Sequence, residues 1–237
     1  VAFESAMAKS WNMRLFKHLR READKASRLL AEEKGACEDA AERGVMERFS
    51  HKLAIAPTAS ISIICGGTSA GIEPIPANIY THKTLSGSFA VKNPYLERIL
   101  GEKGIDTEAV WNSILEHEGS VQHLEGLTDD EKSIFKTAFE LDQRWIVELS
   151  ADRAAEICQA QSINLFIPGD VNKWDLHMLH WSAWEKGVKS LYYLRSKSVQ
   201  RAAFAGAENK VEEEVDPNQP DLFSAARTDY DECLACQ

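Results

Sequence analysis

The sequence predicts an α/β protein, and three observations carry that prediction. A β-branched apolar run, an amphipathic-length segment and a second apolar run follow one another as "SINLFI", "DLHMLHWSAWEKG" and "VKSLYY". Strand, helix and strand in that order form a crossover unit, so the two strands are expected to be parallel, with covered sheet faces. Helical and extended patterns also alternate along the rest of the chain, as they do in α/β folds. Finally, 237 residues with 44% hydrophobic and 27% charged content suffice for a buried core.

The chain opens inside a helical pattern. Residues 1–34 are rich in Ala, Leu, Arg, Lys and Glu, and Gly35 is a natural stop. The first residue is Val rather than Met, so a longer parent polypeptide is expected. "KLAIAPTASISIICGG" is apolar and β-branched, which predicts a strand interrupted at Pro57. "ANIYTHKTLSGSFAV" reads as strand or extended chain.

Helices come next. In "NPYLERILGEKG", Asn93 is the expected N-cap, Pro94 the first helical residue and Gly101 the stop. "DTEAVWNSILEHEG" repeats the plan and closes at Gly119. Thr128 and Glu131 have capping-box spacing, and a long helical pattern runs on from them. "SINLFIPG" is a short buried strand stopped by Pro168 and Gly169. The helix in "NKWDLHMLHWSAWEKG" is apolar on most sides, which predicts burial and puts Trp174, Trp181 and Trp184 in the core. "VKSLYYL" is the last strand, and no internal repeat is present.

Residues 207–232 carry nine acids against two bases, two prolines and few large apolar groups. That composition predicts a disordered tether. It ends in Cys-Leu-Ala-Cys. A tether of about 39 residues from Leu194 to Cys233 has a root-mean-square reach of roughly 31–37 Å.

Charge and cysteine content narrow the function classes. A formal net charge of −10 disfavours a nucleic-acid-binding surface. No apolar run approaches the roughly 18 residues of a membrane span, and no signal-peptide pattern opens the chain. Five cysteines in a chain this long do not make a secreted disulfide framework, and a cytoplasmic location is expected.

Four groups of residues could carry chemistry. Cys233 and Cys236 have the spacing of a small redox loop, against the plainer reading of incidental thiols at a terminus. Zinc competes for such a pair, but structural zinc takes four ligands and no second pair lies near. In "APTASISIICGGTSAGIEP", hydroxyls and glycines at a chain break could cradle an anion, although Thr and Ser are also ordinary strand residues. Tyr192 and Tyr193 are adjacent oxidisable phenols that could equally well just pack. His177 and His180 lack a third ligand at metal spacing. Cys65 and Cys158, in apolar contexts, read as buried and inert. Cys37 has acidic neighbours that disfavour its thiolate.

Taken together these stretches resemble the carboxy-terminal part of the large catalytic α subunit of class I ribonucleotide reductase. "APTAS", "GIEPIPANIYTHKTLSGSF", "NPYL", "QAQSINLFI", "GVKSLYYLRS" and the terminal "CLAC" stand in the family's order. The resemblance implies the carboxy-terminal portion of a ten-stranded α/β barrel over residues 1–206, then a flexible acidic tail, residues 207–237, with a redox pair. It implies reduction of ribonucleoside diphosphates to deoxyribonucleoside diphosphates. Pro57, Thr58, Ala59, Ser60 and Ile61 resemble the family's substrate-phosphate loop. Tyr192 and Tyr193 resemble the dyad that relays oxidising equivalents from the β subunit, which favours class I over the cobalamin-dependent relatives. Cys233 and Cys236 resemble the tail pair that resets the active-site disulfide and is itself reduced by thioredoxin or glutaredoxin.

The same resemblance implies partners and cofactors. No cofactor or metal is expected in this segment itself. ATP and dNTP effectors belong to the family's amino-terminal region, and the metal-radical cofactor belongs to the β subunit. The family's Asn-x-Cys-x-Glu pattern around the radical cysteine does not occur in this sequence. The segment is therefore expected to act with an amino-terminal part of the α subunit and to be inactive alone. Two other readings stay open from the residues: a self-sufficient thiol–disulfide carrier and a noncatalytic binding module. Ideal strand alternation would splay Tyr192 and Tyr193 apart. A relay thus requires the strand to end or bend at the dyad.

Overall fold

In a computed structural model, residues 1–66, 69–84 and 87–197 are described. The long helix α1, Ala6–Lys34, is capped by the Ser5 hydroxyl, which accepts from the Ala8 amide, and it ends at Gly35 with φ 80°. It packs along α7, Gln143–Ala154. Asn12 donates to the Leu149 carbonyl at 2.9 Å, and the buried Arg153 donates to Ser150 and Gln161 at 2.9 and 2.7 Å. Desolvation lowers the Arg153 guanidinium to about 10, and the neighbouring Asp152 opposes that shift. A short helix α2, Glu38–Glu42, follows.

The segment expected to be an interrupted strand is not one. Ile55 makes a single parallel bridge to Gln161, and Ala59–Ile64 form a short helix, α3. Ile61, Ile63 and Ile64 are exposed. A six-residue apolar run does not distinguish strand from helix by periodicity, and here the bend at Pro57–Thr58 decides.

The next stretch forms an antiparallel hairpin, β1 (Ile79–Thr84) and β2 (Gly87–Lys92), with Ile79 opposite Lys92. Helices α4 (Pro94–Glu102) and α5 (Glu108–Glu116) pack beside it. Asn93 caps α4 as expected, while the helix runs one residue past Gly101 and stops at Lys103–Gly104. Leu96, Leu100, Ile114 and Val121 are fully buried and with Ile79, Trp111 and Phe135 make the first core. Each such side chain contributes about 1.5–3 kcal/mol.

The Thr128–Glu131 capping box is present, but helix α6 spans only Asp129–Ile134. A turn region separates it from α7, where a continuous helix was expected. The break is held by side-chain bonds: the Glu140 carboxylate accepts from the Thr137 amide and Asp142 caps α7.

The order and parallel pairing of the crossover unit are as predicted, but its last strand follows "VKSLYY" instead of lying within it. β3 (Leu165–Ile167), α8 (Lys173–Glu185) and β4 (Leu194–Ser196) follow in order, and β3 pairs parallel to β4 with Leu165 opposite Leu194. β3 is buried, whereas β4 is exposed, so the expected double cover holds for the first strand alone. α8 also departs from expectation. It buries Leu179 and Ala183, while Trp174, Trp181 and Trp184 are exposed: Trp174 and Trp181 each meet the His177 ring, and Trp181 meets Trp184. Apolarity around a helix does not specify which face meets a neighbour.

These elements make a mixed α/β fold with four strands in two sheets among the described residues. No helix among the described residues is long and apolar enough to cross a membrane. The tail, residues 207–237, with Cys233 and Cys236, lies outside the described residues.

Candidate functional site

One run of chain brings the separate motifs together. Residues 159–167 are flanked on one side by Leu53–Ile55 and on the other by Tyr192–Ser196. On the first side, Gln159 donates to Leu53 O and Ser162 to Ile55 O, at 3.1 and 2.8 Å. On the second, Tyr192 N donates to Ile163 O at 2.8 Å and Leu165 N to Tyr193 O at 2.9 Å. The loop that follows Ile55 and the dyad that precedes β4 therefore meet across this central run.

They meet in a cavity of about 270 Å³. Pro57, Thr58, Ala59, Ser60 and Ile61 line it together with Tyr192 and Tyr193, 131 residues further along (192 minus 61). Every residue of the expected phosphate loop and both expected relay tyrosines thus share one space.

The loop is strained where it turns. Thr58 has φ 51° and ψ 29°, the left-handed region, which a β-branched residue rarely occupies. Such a conformation costs on the order of 1–3 kcal/mol. Its hydroxyl compensates in part, accepting from the Gly71 amide at 2.7 Å. Gly71 also has positive φ and lies against the Ala56, Pro57 and Ser162 carbonyls. The amides of Ala59, Ser60 and Ile61 precede the first α3 bond, Ser62 N to Thr58 O.

The dyad does not lie on a regular strand. β4 begins at Leu194, so strand alternation does not apply to Tyr192 and Tyr193. Their ring centroids are 4.2 Å apart with planes inclined at 55°. The rings make close contact, tilted rather than parallel.

Three further polar residues line the cavity that the motif reading did not single out: Glu73, Asn164 and Arg195. Asn164 Nδ2 donates to Glu73 Oε2 at 2.6 Å, and Asn164 Oδ1 accepts from Tyr193 N at 3.1 Å. The Arg195 guanidinium lies over the Tyr193 ring, 5.6 Å from its centroid. Burial pushes the Glu73 carboxyl up from the usual carboxylate range, against the opposing Asn164 hydrogen bond and Arg195 charge. The signal was a lone amide, Asn164, inside the apolar run "INLFI", and a lone acid directly before the proline of "GIEP".

The cysteines differ from expectation. Cys65 is exposed at the end of α3 rather than buried. The Cys158 sulfur accepts from the Lys52 and Leu53 amides at 3.0 and 3.1 Å. Burial raises its thiol, but those bonds and the Arg20 charge outweigh that and hold it below the ordinary value. An apolar sequence context concealed both, because a neighbouring Ile says nothing of which way the thiol faces. Gly67 and Thr68 of the expected cradle lie outside the described residues. The described residues contain no group of three or more His, Cys, Asp or Glu side chains suited to a metal.

Residues 38–194 match the family model described as ribonucleotide reductase, barrel domain. The ribonucleoside-diphosphate reductase large subunit of Invertebrate iridescent virus 6 is 45% identical over 206 residues, covering 85% of this chain and 21% of that protein. The putative ribonucleoside-diphosphate reductase large subunit of Frog virus 3 is 43% identical over 196 residues, 83% of this chain and 34% of that protein. The solved Actinobacillus ureae class Id ribonucleotide reductase alpha subunit is similar with a TM-score of 0.77 at 42% identity, over 84% of this chain and 36% of that one. The chain spans about a fifth to a third of the length of these curated relatives.

Proposed function

Since the chain belongs to the ribonucleotide reductase family, through the barrel domain of the large subunit, we propose that it forms the carboxy-terminal part of a class I α subunit. Its reaction is the reduction of a ribonucleoside diphosphate. The 2′-hydroxyl leaves as water, and two thiols become a disulfide, supplying two electrons. Residues 1–206 contribute to a ten-stranded barrel, and residues 207–237 supply the Cys233 and Cys236 thiols.

The observation that carries this reading is the shared cavity: the Pro57–Ile61 loop and the Tyr192–Tyr193 dyad face one space. In that space the loop amides and the Thr58 and Ser60 hydroxyls bind the diphosphate as hydrogen-bond donors. Tyr193 and Tyr192 pass an electron and a proton in short steps between touching rings. The oxidising equivalent originates in the β subunit's metal cofactor. Cys233 and Cys236 then reduce the active-site disulfide by thiol exchange and are reduced in turn by thioredoxin or glutaredoxin. ATP and dNTP effectors act through the amino-terminal part of the α subunit.

The test is reconstitution. The chain, an amino-terminal α part from a relative, the β subunit and thioredoxin should together convert ribonucleoside diphosphate to its deoxy form. Omitting any one should abolish turnover with thioredoxin as sole reductant. Turnover by the chain alone, or unaltered turnover after Cys233→Ser in the reconstituted enzyme, contradicts the reading.

A further inference from the structure

The cavity holds a polar relay that the substrate loop and the dyad do not account for. Glu73 enters it from the turn after Gly71, where its amide donates to Ala70 O at 3.3 Å. Its carboxylate accepts from Asn164, and the same Asn164 amide group accepts from the Tyr193 backbone. Glu73 is thus two hydrogen bonds from the backbone of a redox tyrosine. On the other side, Arg195 projects its guanidinium over the Tyr193 ring. Glu73 and Arg195 sense each other's charge and line the same cavity. The charged or titratable groups lining this cavity are therefore Tyr192, Tyr193, Arg195 and Glu73.

The physical consequence follows from charge. A cation over a phenol ring stabilises the electron-rich neutral ring and opposes removal of an electron from it. An anion close by offsets that opposition, the more so where water is partly excluded. An Asn fixed between carboxylate and backbone has its amide orientation set, because only its NH₂ can face Glu73 and only its oxygen the Tyr193 amide.

We propose that Glu73 is a positioning residue for radical transfer, orienting Tyr193 through Asn164 and offsetting the Arg195 charge over its ring. The inference rests on the relay reading of the dyad. Tyr193 is the better acceptor of an electron hole with the carboxylate present than without it. Glu73→Gln keeps an oxygen that can accept from Asn164 and removes the charge. Glu73→Asp keeps the charge on a shorter stem.

The experiment has two readouts. In the reconstituted enzyme, Glu73→Gln should lower kcat about tenfold or more with KM for the diphosphate unchanged, and Glu73→Asp should recover part of the loss. In the purified full chain carrying 3-fluorotyrosine at position 193, Glu73→Gln should move the ¹⁹F resonance at fixed pH. Arg195→Gln should move it in the opposite direction, because the two opposite charges act on one ring. An unmoved resonance in Glu73→Gln overturns the proposal, as does a raised KM at constant kcat, which would make Glu73 a substrate contact. The ¹⁹F response needs no turnover, so it stands or falls separately from the relay. Intact turnover in Tyr193→Phe would instead defeat the relay itself.

Discussion

Tyr192 and Tyr193 touch ring to ring, 4.2 Å between centroids, although they are neighbours in sequence. The contact is possible because the strand starts one residue later and because each backbone is tied separately to the central run. Tyr192 N bonds to Ile163 O and Tyr193 O receives Leu165 N. Asn164 occupies the position between, with its side chain on the Tyr193 amide. The local departure from strand geometry is what turns two adjacent phenols into a pair.

Thr58 tests the loop. Thr58→Ala removes the hydroxyl that accepts from Gly71 yet leaves a Cβ in the left-handed region, whereas Thr58→Gly removes both hydroxyl and strain. Glycine should therefore be the more stable of the two by roughly 1 kcal/mol. Denaturant midpoints check that order. Both changes should weaken diphosphate binding by calorimetry in the reconstituted enzyme.

Asn78 tests the first core. It is fully buried, donates to the Gly119 and Phe135 carbonyls at 2.9 and 2.8 Å, and accepts from Asn93 Nδ2 at 2.9 Å. Asn78→Ala takes the side-chain donor from the buried Phe135 carbonyl, leaves Gly119 O only the Asn78 backbone amide, and should cost about 2–3 kcal/mol in chemical unfolding. Asn78→Asp should cost more near neutral pH, because it sets a carboxylate against those carbonyls.

Gly119 is required for two reasons at once. It has φ 84°, and a Cβ there would lie 2.4 Å from Ala77 Cβ and 2.9 Å from Asn78 N. Gly119→Ala should destabilise by about 2–4 kcal/mol, measured by thermal or urea melting. Gly104→Ala, with open space around it, should cost only the left-handed strain.

Acid should loosen α1 from the segment before the loop. The Lys52 ammonium lies 2.5 Å from Asp24 and 3.2 Å from Glu47. Burial raises both carboxyls, but bonds from Lys52 and Arg20 to Asp24, and from Ser27, Lys52 and Arg28 to Glu47, outweigh it and depress both. A depressed folded value means stability present above the ordinary 3.8 and 4.5 and lost as pH falls through and below them. Urea midpoints should drop between pH 5 and pH 3, and Lys52→Met should flatten that drop.

Much of this was legible beforehand. Caps announce themselves by residue type, so Asn93, the Thr128–Glu131 box and the stop at Gly35 were readable locally. The parallel pairing of β3 and β4 followed from chain order alone. Short apolar runs were not readable: "ASISII" has the composition of a strand and forms α3. The side-chain bonds that break the chain between α6 and α7 need Glu140 and Gln143 in three dimensions. Family motifs pointed to the loop and the dyad, but Glu73, Asn164 and Arg195 became visible only once the cavity joined distant segments.

The central claim is that the touching phenols carry the oxidising equivalent. The most direct measurement is deoxynucleotide formation by the reconstituted enzyme with Tyr192→Phe or Tyr193→Phe, which keep ring packing and remove one hydroxyl. Turnover should fall by about a thousandfold or more in each, with diphosphate binding and folding stability preserved. Turnover within a few-fold of the unaltered enzyme in either variant would contradict the account.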